Sequence, residues 1–164
     1  MRGHKRSSAH RSGESGAALI EMAVVLPIVL TIGLGVIEFA NYFYAYQMIQ
    51  YGLRDAARYA SSKPVATTTA ELDYIRNLAA TGNPAGGTNR LSWWHAADVS
   101  VEYPTPVSNP TLSGGLRTYR YAGGVPRVII STSVPYPSLG FLGYLKIGSI
   151  TLNASHEERV LGAR

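Results

Sequence analysis

Glu21 is the only charged residue in an otherwise apolar run, 17–37 (AALIEMAVVLPIVLTIGLGVI), and Gly16 stands immediately before that run. A carboxylate in an apolar helix costs up to about 2.5–3.5 kcal/mol at mid-bilayer, less near the interface, and tends to mark function. Glu21 follows Ala17 by one helical turn, so the two share a face. A cut between Gly16 and Ala17 would create an α-amino group with an unperturbed pKa near ~8, largely cationic at neutral pH. In an apolar helical bundle that amine and the acid would both be uncompensated, and Glu21 of a neighbouring subunit would neutralise the amine. Glycine, a cut and an acid at the fifth mature position make a self-assembly rule with a physical basis. The plainer reading of Glu21 is an interfacial carboxylate without a role.

The remaining chemistry-bearing residues offer less. There is no P-loop, no Gly-x-Ser-x-Gly, no dinucleotide fingerprint and no nucleophile–base constellation. His156 with Glu157 and Glu158 resembles a fragment of a metal motif but lacks a second spaced histidine. Cysteine is absent, so neither disulfides nor thiolate ligands are available. Trp93 and Trp94 beside His95 read either as an adhesive, ligand-contacting patch or as one core ring and one edge cap. Asn153-Ala154-Ser155 fits a glycosylation sequon by chance inside an expected strand. No catalytic, cofactor-binding or metal-binding residue is assigned, no small-molecule substrate is expected, and the chain does not read as an enzyme. Its formal net charge of +5 suggests nucleic acid, but the distribution does not. Arg2, Lys5, Arg6 and Arg11 sit in the leader, and the other cations are scattered without interleaved aromatics.

These residues need a scaffold, and the apolar run is its first part. As a helix at about 1.5 Å per residue it spans roughly 30 Å, the thickness of a bilayer's hydrocarbon core. It is too long for the apolar part of a cleavable secretory signal, and Glu38-Phe39-Ala40-Asn41 beyond it is a poor cut site. Residues 1–16 read as a basic, flexible leader. By the positive-inside rule it stays cytoplasmic, and the chain beyond about residue 40 is exported. Pro27 removes one backbone hydrogen bond and should kink the helix, which membrane helices tolerate.

The helix is expected to continue to about Ser62, giving a transmembrane and juxtamembrane element over 17–62 with Pro64 ending it. Phe39, Tyr42, Phe43, Tyr46, Ile49, Leu53, Ala56, Ala57 and Ala60 recur at helical spacing. Tyr42, Tyr44, Tyr46 and Tyr51 cluster where the helix leaves the bilayer, and Tyr42, Tyr44 and Tyr46 read as interfacial anchors. Asp55 pairs by spacing with Arg58. The exported head is 63–164. Thr68 and Glu71 have capping-box spacing before a short helix over 69–80. Alternating or β-rich segments at 98–103, 127–134 and 149–160 read as strands, with a further short edge strand at 116–121. Residues 138–145, SLGFLGYL, read as either a buried turn or a membrane-facing tip. A few short strands cannot bury an apolar face alone, so the stripe of the long helix should cover them. The expected class is α+β: a long N-terminal transmembrane helix running into a soluble head whose small antiparallel sheet packs on it.

The segment SGAALIEMAVVLPIVLTIGLGVIEFANYFYAYQMIQYGLRDAARYAS resembles the N-terminal region of TadE-like proteins, the pseudopilins or minor pilins of bacterial tight-adherence (Flp, type IVc) pili. The features that match are Gly16, Glu21, Met22 to Pro27, Gly35 to Phe39, the aromatics Tyr42, Phe43 and Tyr44, and the Ala-rich Arg54 to Ala60. The resemblance covers 12–62 closely, with a weaker echo in ITLNASHEER near the C-terminus. It implies a pilin-like layout and cleavage after Gly16 by a prepilin peptidase. It also implies an inner-membrane, single-pass placement with the head in the periplasm, or passage into the pilus. The implied partners are the membrane, other pilins or pseudopilins and the pilus assembly platform, with a role in pilus assembly and surface attachment. The alternative is an unprocessed, membrane-anchored periplasmic or surface adhesion domain.

Overall fold

A computed structural model describes residues 10–112, 114–117 and 124–161, with the side chains of the first helix described from Gly16 onward. The leader before residue 10 and positions 118–121 of the expected edge strand lie outside the described residues. Helix α1 runs His10–Ser61 and passes through Pro27. It starts earlier than the expected first residue, Ala17. No proline interrupts 10–16, and extending an existing helix costs far less than nucleating one. The chain divides into two compact units, Met1–Ala40 and Asn41–Arg164.

The first unit holds the apolar part of α1. Its described side chains are exposed over 17–30, and the apolar window is long enough to cross a membrane with none of it buried inside the protein. Thr31 Oγ1 donates to the Pro27 carbonyl at 2.7 Å. That back-bond sits one turn beyond the amide that proline lacks, and such bonds bend helices.

The second unit begins at Asn41, inside α1. The reason is packing: Ala45, Ile49, Leu53, Ala56, Ala57 and Ala60 form one wall of the head's core. Helix α2, Thr69–Thr81, carries the expected capping box. Glu71 N donates to Thr68 Oγ1 at 3.3 Å, and Glu71 Oε2 accepts from Thr67 N at 3.0 Å and Thr68 N at 3.1 Å. These bonds to the charged form hold the Glu71 carboxyl below its ordinary pKa. Gly82, at φ 79°, ends α2 in the left-handed conformation that glycine adopts without strain.

Strands β1 (Val99–Glu102), β2 (Arg127–Pro135) and β3 (Thr151–Arg159) form an antiparallel sheet in the order β1-β2-β3. Val99 pairs with Thr132, and Thr132 with Ala154, which fixes the faces. Val128, Ile130, Thr132 and Val134 of β2 point inward, as do Leu152 and Ala154 of β3. The opposite face carries Ser131, Ser133, Asn153 and Ser155. A single 3-10 turn, Ala96–Asp98, precedes β1, and a short helix α3, Phe141–Tyr144, lies between β2 and β3. The architecture is therefore α+β, a long apolar helix followed by a three-stranded antiparallel head.

Candidate anchoring and assembly site

Gly16, Ala17 and Glu21 all lie on α1, within its N-terminal turns. Ala17 and Glu21 are exposed, about 6 Å apart along the axis by helical rise. Among the described residues no ion pair or side-chain hydrogen bond involves Glu21, which is exposed. A Cβ at Gly16 would meet nothing within 4 Å. Ser12, Gly13, Ser15 and Gly16 are weak helix formers, each glycine costing about 1 kcal/mol relative to alanine.

The three tyrosines separate. The Tyr42 ring packs edge-on against Tyr136, centroids 5.3 Å apart at 79°. Tyr46 packs against the core and accepts a hydrogen bond from Gln50 Nε2 at 3.0 Å. Tyr44 alone of the three is more than half exposed, at 54%. Tyr51, the fourth tyrosine of the expected interfacial cluster, is exposed as well, and so is Phe43, which its spacing places in the core stripe.

Several hollows open on the described part of the head. One, about 810 Å³, runs along hydroxyls and an amide that include Ser100, Ser131, Ser133, Asn153 and Ser155, with Asp98 at its edge. A second, about 350 Å³, lies between Trp93, His95 and the Pro135–Pro137 segment. His95 Nδ1 stands 3.6 Å from Asp98 Oδ2, whose carboxylate accepts from the His95 amide at 2.8 Å. This carboxylate is a cap for the 3-10 turn. A third, about 230 Å³, is lined by Tyr59, Lys63, Glu71, Tyr74 and Tyr103. Burial pushes the Tyr103 hydroxyl above its ordinary pKa. None of the described linings places a serine or tyrosine hydroxyl on a histidine.

Of the tryptophans, Trp94 is fully buried in the core and Trp93 packs against it from the side. Trp94 Nε1 donates to Thr132 Oγ1, which in turn donates to the Asp98 carbonyl. The paired tryptophans are thus a structural device, one ring inside and one at the margin. Asp55 pairs with Arg90 at 2.6 Å, a residue remote in sequence, instead of with Arg58. Arg90 is held there because its amide donates to the Ala80 carbonyl after the turn that ends α2.

What remains as a site is an unburied apolar helix with one acid near its start and a small-residue bond one turn before that acid. Residues 16–58 match the family model of TadE-like protein. No curated protein and no solved structure matches the chain. The TadE-like match begins at Gly16 and takes in Glu21, Pro27 and the helical wall of the head as far as Arg58. The matched stretch includes the whole apolar part of α1, which is long and apolar enough to cross a membrane.

Proposed function

We propose that the chain is a bitopic pseudopilin, or minor pilin, of a tight-adherence pilus, contributing to its assembly and to surface attachment. Glu21 carries this reading: it is an exposed carboxylate one turn beyond Gly16, on a helix whose other side chains suit lipid. A prepilin peptidase cuts between Gly16 and Ala17. The new amine of one subunit then meets Glu21 of the next within a bundle of apolar helices, where an unpaired charge is costly. Before assembly α1 spans the bacterial inner membrane, with the basic N-terminus cytoplasmic and the head periplasmic. Tyr44 steadies the exit, and Pro27 supplies the bend. Other pilins and the assembly platform are its partners.

The experiment is replacement of the native copy by Glu21→Gln or Glu21→Ala. Pili are lost while the protein still sediments with membranes. Normal pili in both variants overturn the assembly role.

A further inference from the structure

The loop between β2 and β3 is apolar, exposed and firmly built. Tyr136 N donates to the Ile150 carbonyl at 2.8 Å and closes its neck. Inside the loop, Leu145 N bonds to Phe141 O, Lys146 N to Gly143 O and Ile147 N to Leu142 O, all within 3.0 Å. Leu142 packs against the head's core, and Phe141 stacks on Tyr144 at 6.3 Å. The chain is thus held in one shape, yet Leu139, Tyr144, Leu145 and Ile147 face outward, Tyr144 with 76% of its surface exposed. A preformed apolar surface on a small soluble head calls for a cover.

Its place in the head identifies that cover. Tyr136, at the root of the loop, accepts a hydrogen bond from Asn41 Nδ2 at 2.6 Å and meets the Tyr42 ring. Asn41 and Tyr42 are the first residues of the head, directly after the apolar part of α1. The other end of the sheet lies at the far end of the helix, where Leu161 N donates to the Ser61 carbonyl at 2.7 Å. Within the head, the β2–β3 loop is therefore rooted beside the residues at which α1 enters it. Lys146 is the one charged residue in 136–150, and no acid accompanies it. Apolar and aromatic side chains around a lone cation suit the headgroup–acyl boundary of an anionic leaflet, where rings sit at headgroup depth and a lysine reaches phosphate.

We propose that this loop is a second membrane contact, seating Leu139, Tyr144, Leu145 and Ile147 in the leaflet from which α1 emerges, with Lys146 at the lipid phosphates. The proposal rests on α1 being a membrane anchor. With two points of attachment the head cannot swivel freely about its helix, so it meets other subunits in one orientation.

The absence of cysteine makes the test direct. Full-length chains carrying Tyr144→Cys or Ile147→Cys, and Asp73→Cys on exposed α2 as control, are labelled with an environment-sensitive fluorophore. They are reconstituted into phosphatidylethanolamine–phosphatidylglycerol vesicles, and into nanodiscs holding a single chain. The probes at both loop sites should shift to the blue and lose more than half their emission to headgroup-proximal nitroxide lipid, with the control unmoved. Adding Lys146→Glu should weaken that quenching. Protein that floats with the vesicles while its loop probes behave like the control overturns the proposal and leaves the anchor standing. Quenching seen only in crowded vesicles and not in single-chain nanodiscs assigns the loop to a second copy and also overturns it. Failure to float removes the anchor and the proposal together.

Discussion

A Cβ placed on Gly52 of α1 would lie 2.8 Å from Cη2 of the Trp94 ring. The backbone carbonyl of Ala79 crowds the same point, so helix α1, helix α2 and the buried tryptophan meet where only a hydrogen fits. This close approach locks the helical wall of the head to the rest of its core. Gly52→Ala should therefore destabilise the head by about 1–3 kcal/mol through overpacking, even though alanine is the better helix former. A fall in the thermal midpoint of Trp fluorescence in the detergent-solubilised chain would register it. An unchanged or raised midpoint would show that the contact yields.

Thr132 is a relay between the buried indole and the backbone before β1. It accepts from Trp94 Nε1 at 3.2 Å and donates to the Asp98 carbonyl at 2.7 Å. Thr132→Val keeps the shape but leaves the indole N–H unsatisfied in the core, which costs about 1–3 kcal/mol. The same change made in a Trp94→Phe background should cost less, because no indole donor is then stranded. A double-mutant cycle by chemical denaturation measures the difference.

The cap of α2 should titrate with Glu71. Its folded pKa is depressed by the amides of Thr67 and Thr68, so its contribution is in place above the ordinary carboxylate range and is lost as pH falls through the folded value. The Thr67 and Thr68 amide resonances should move together, with a midpoint below that of a free glutamate. Glu71→Gln should abolish the movement. A midpoint at the ordinary value would mean that the box does not persist in solution.

The Asp55–Arg90 pair is short but partly exposed, its side chains 46% and 23% accessible. Screening by solvent keeps such pairs to about 1 kcal/mol or less. Arg90→Met should leave the thermal midpoint within a few degrees of the parent. A large loss would mean that Arg90 matters chiefly through its packing under Gly82, where its guanidinium lies near the backbone.

Local signals carried most of this fold. The capping pair Thr68 and Glu71 marked the start of α2, and the β-rich run from Arg127 marked β2 to within a residue at its end. The helical stripe was legible from Ile49 to Ala60 because it repeats at one spacing and faces one core. It failed at Phe43, which is apolar but exposed, and at Ala45, which is buried though its type is ambiguous. Gly52 and Thr132 gave no signal, since a close approach and a buried hydroxyl relay exist only between elements. Asp55 was paired by spacing with Arg58, and its real partner, Arg90, became visible only once α2 turned the chain back. At Gly16 and Glu21 the case is the reverse: no contact within the described residues bears on them, and the chemistry proposed there stands on residue order alone.

That order makes one measurement decisive. N-terminal sequencing of the protein recovered from its native membranes should begin at Ala17, leaving Glu21 at the fifth position of the mature chain. A mature protein that still carries Met1 to Gly16 would contradict processing, and with it the pairing of the new amine and Glu21 on which the assembly role rests.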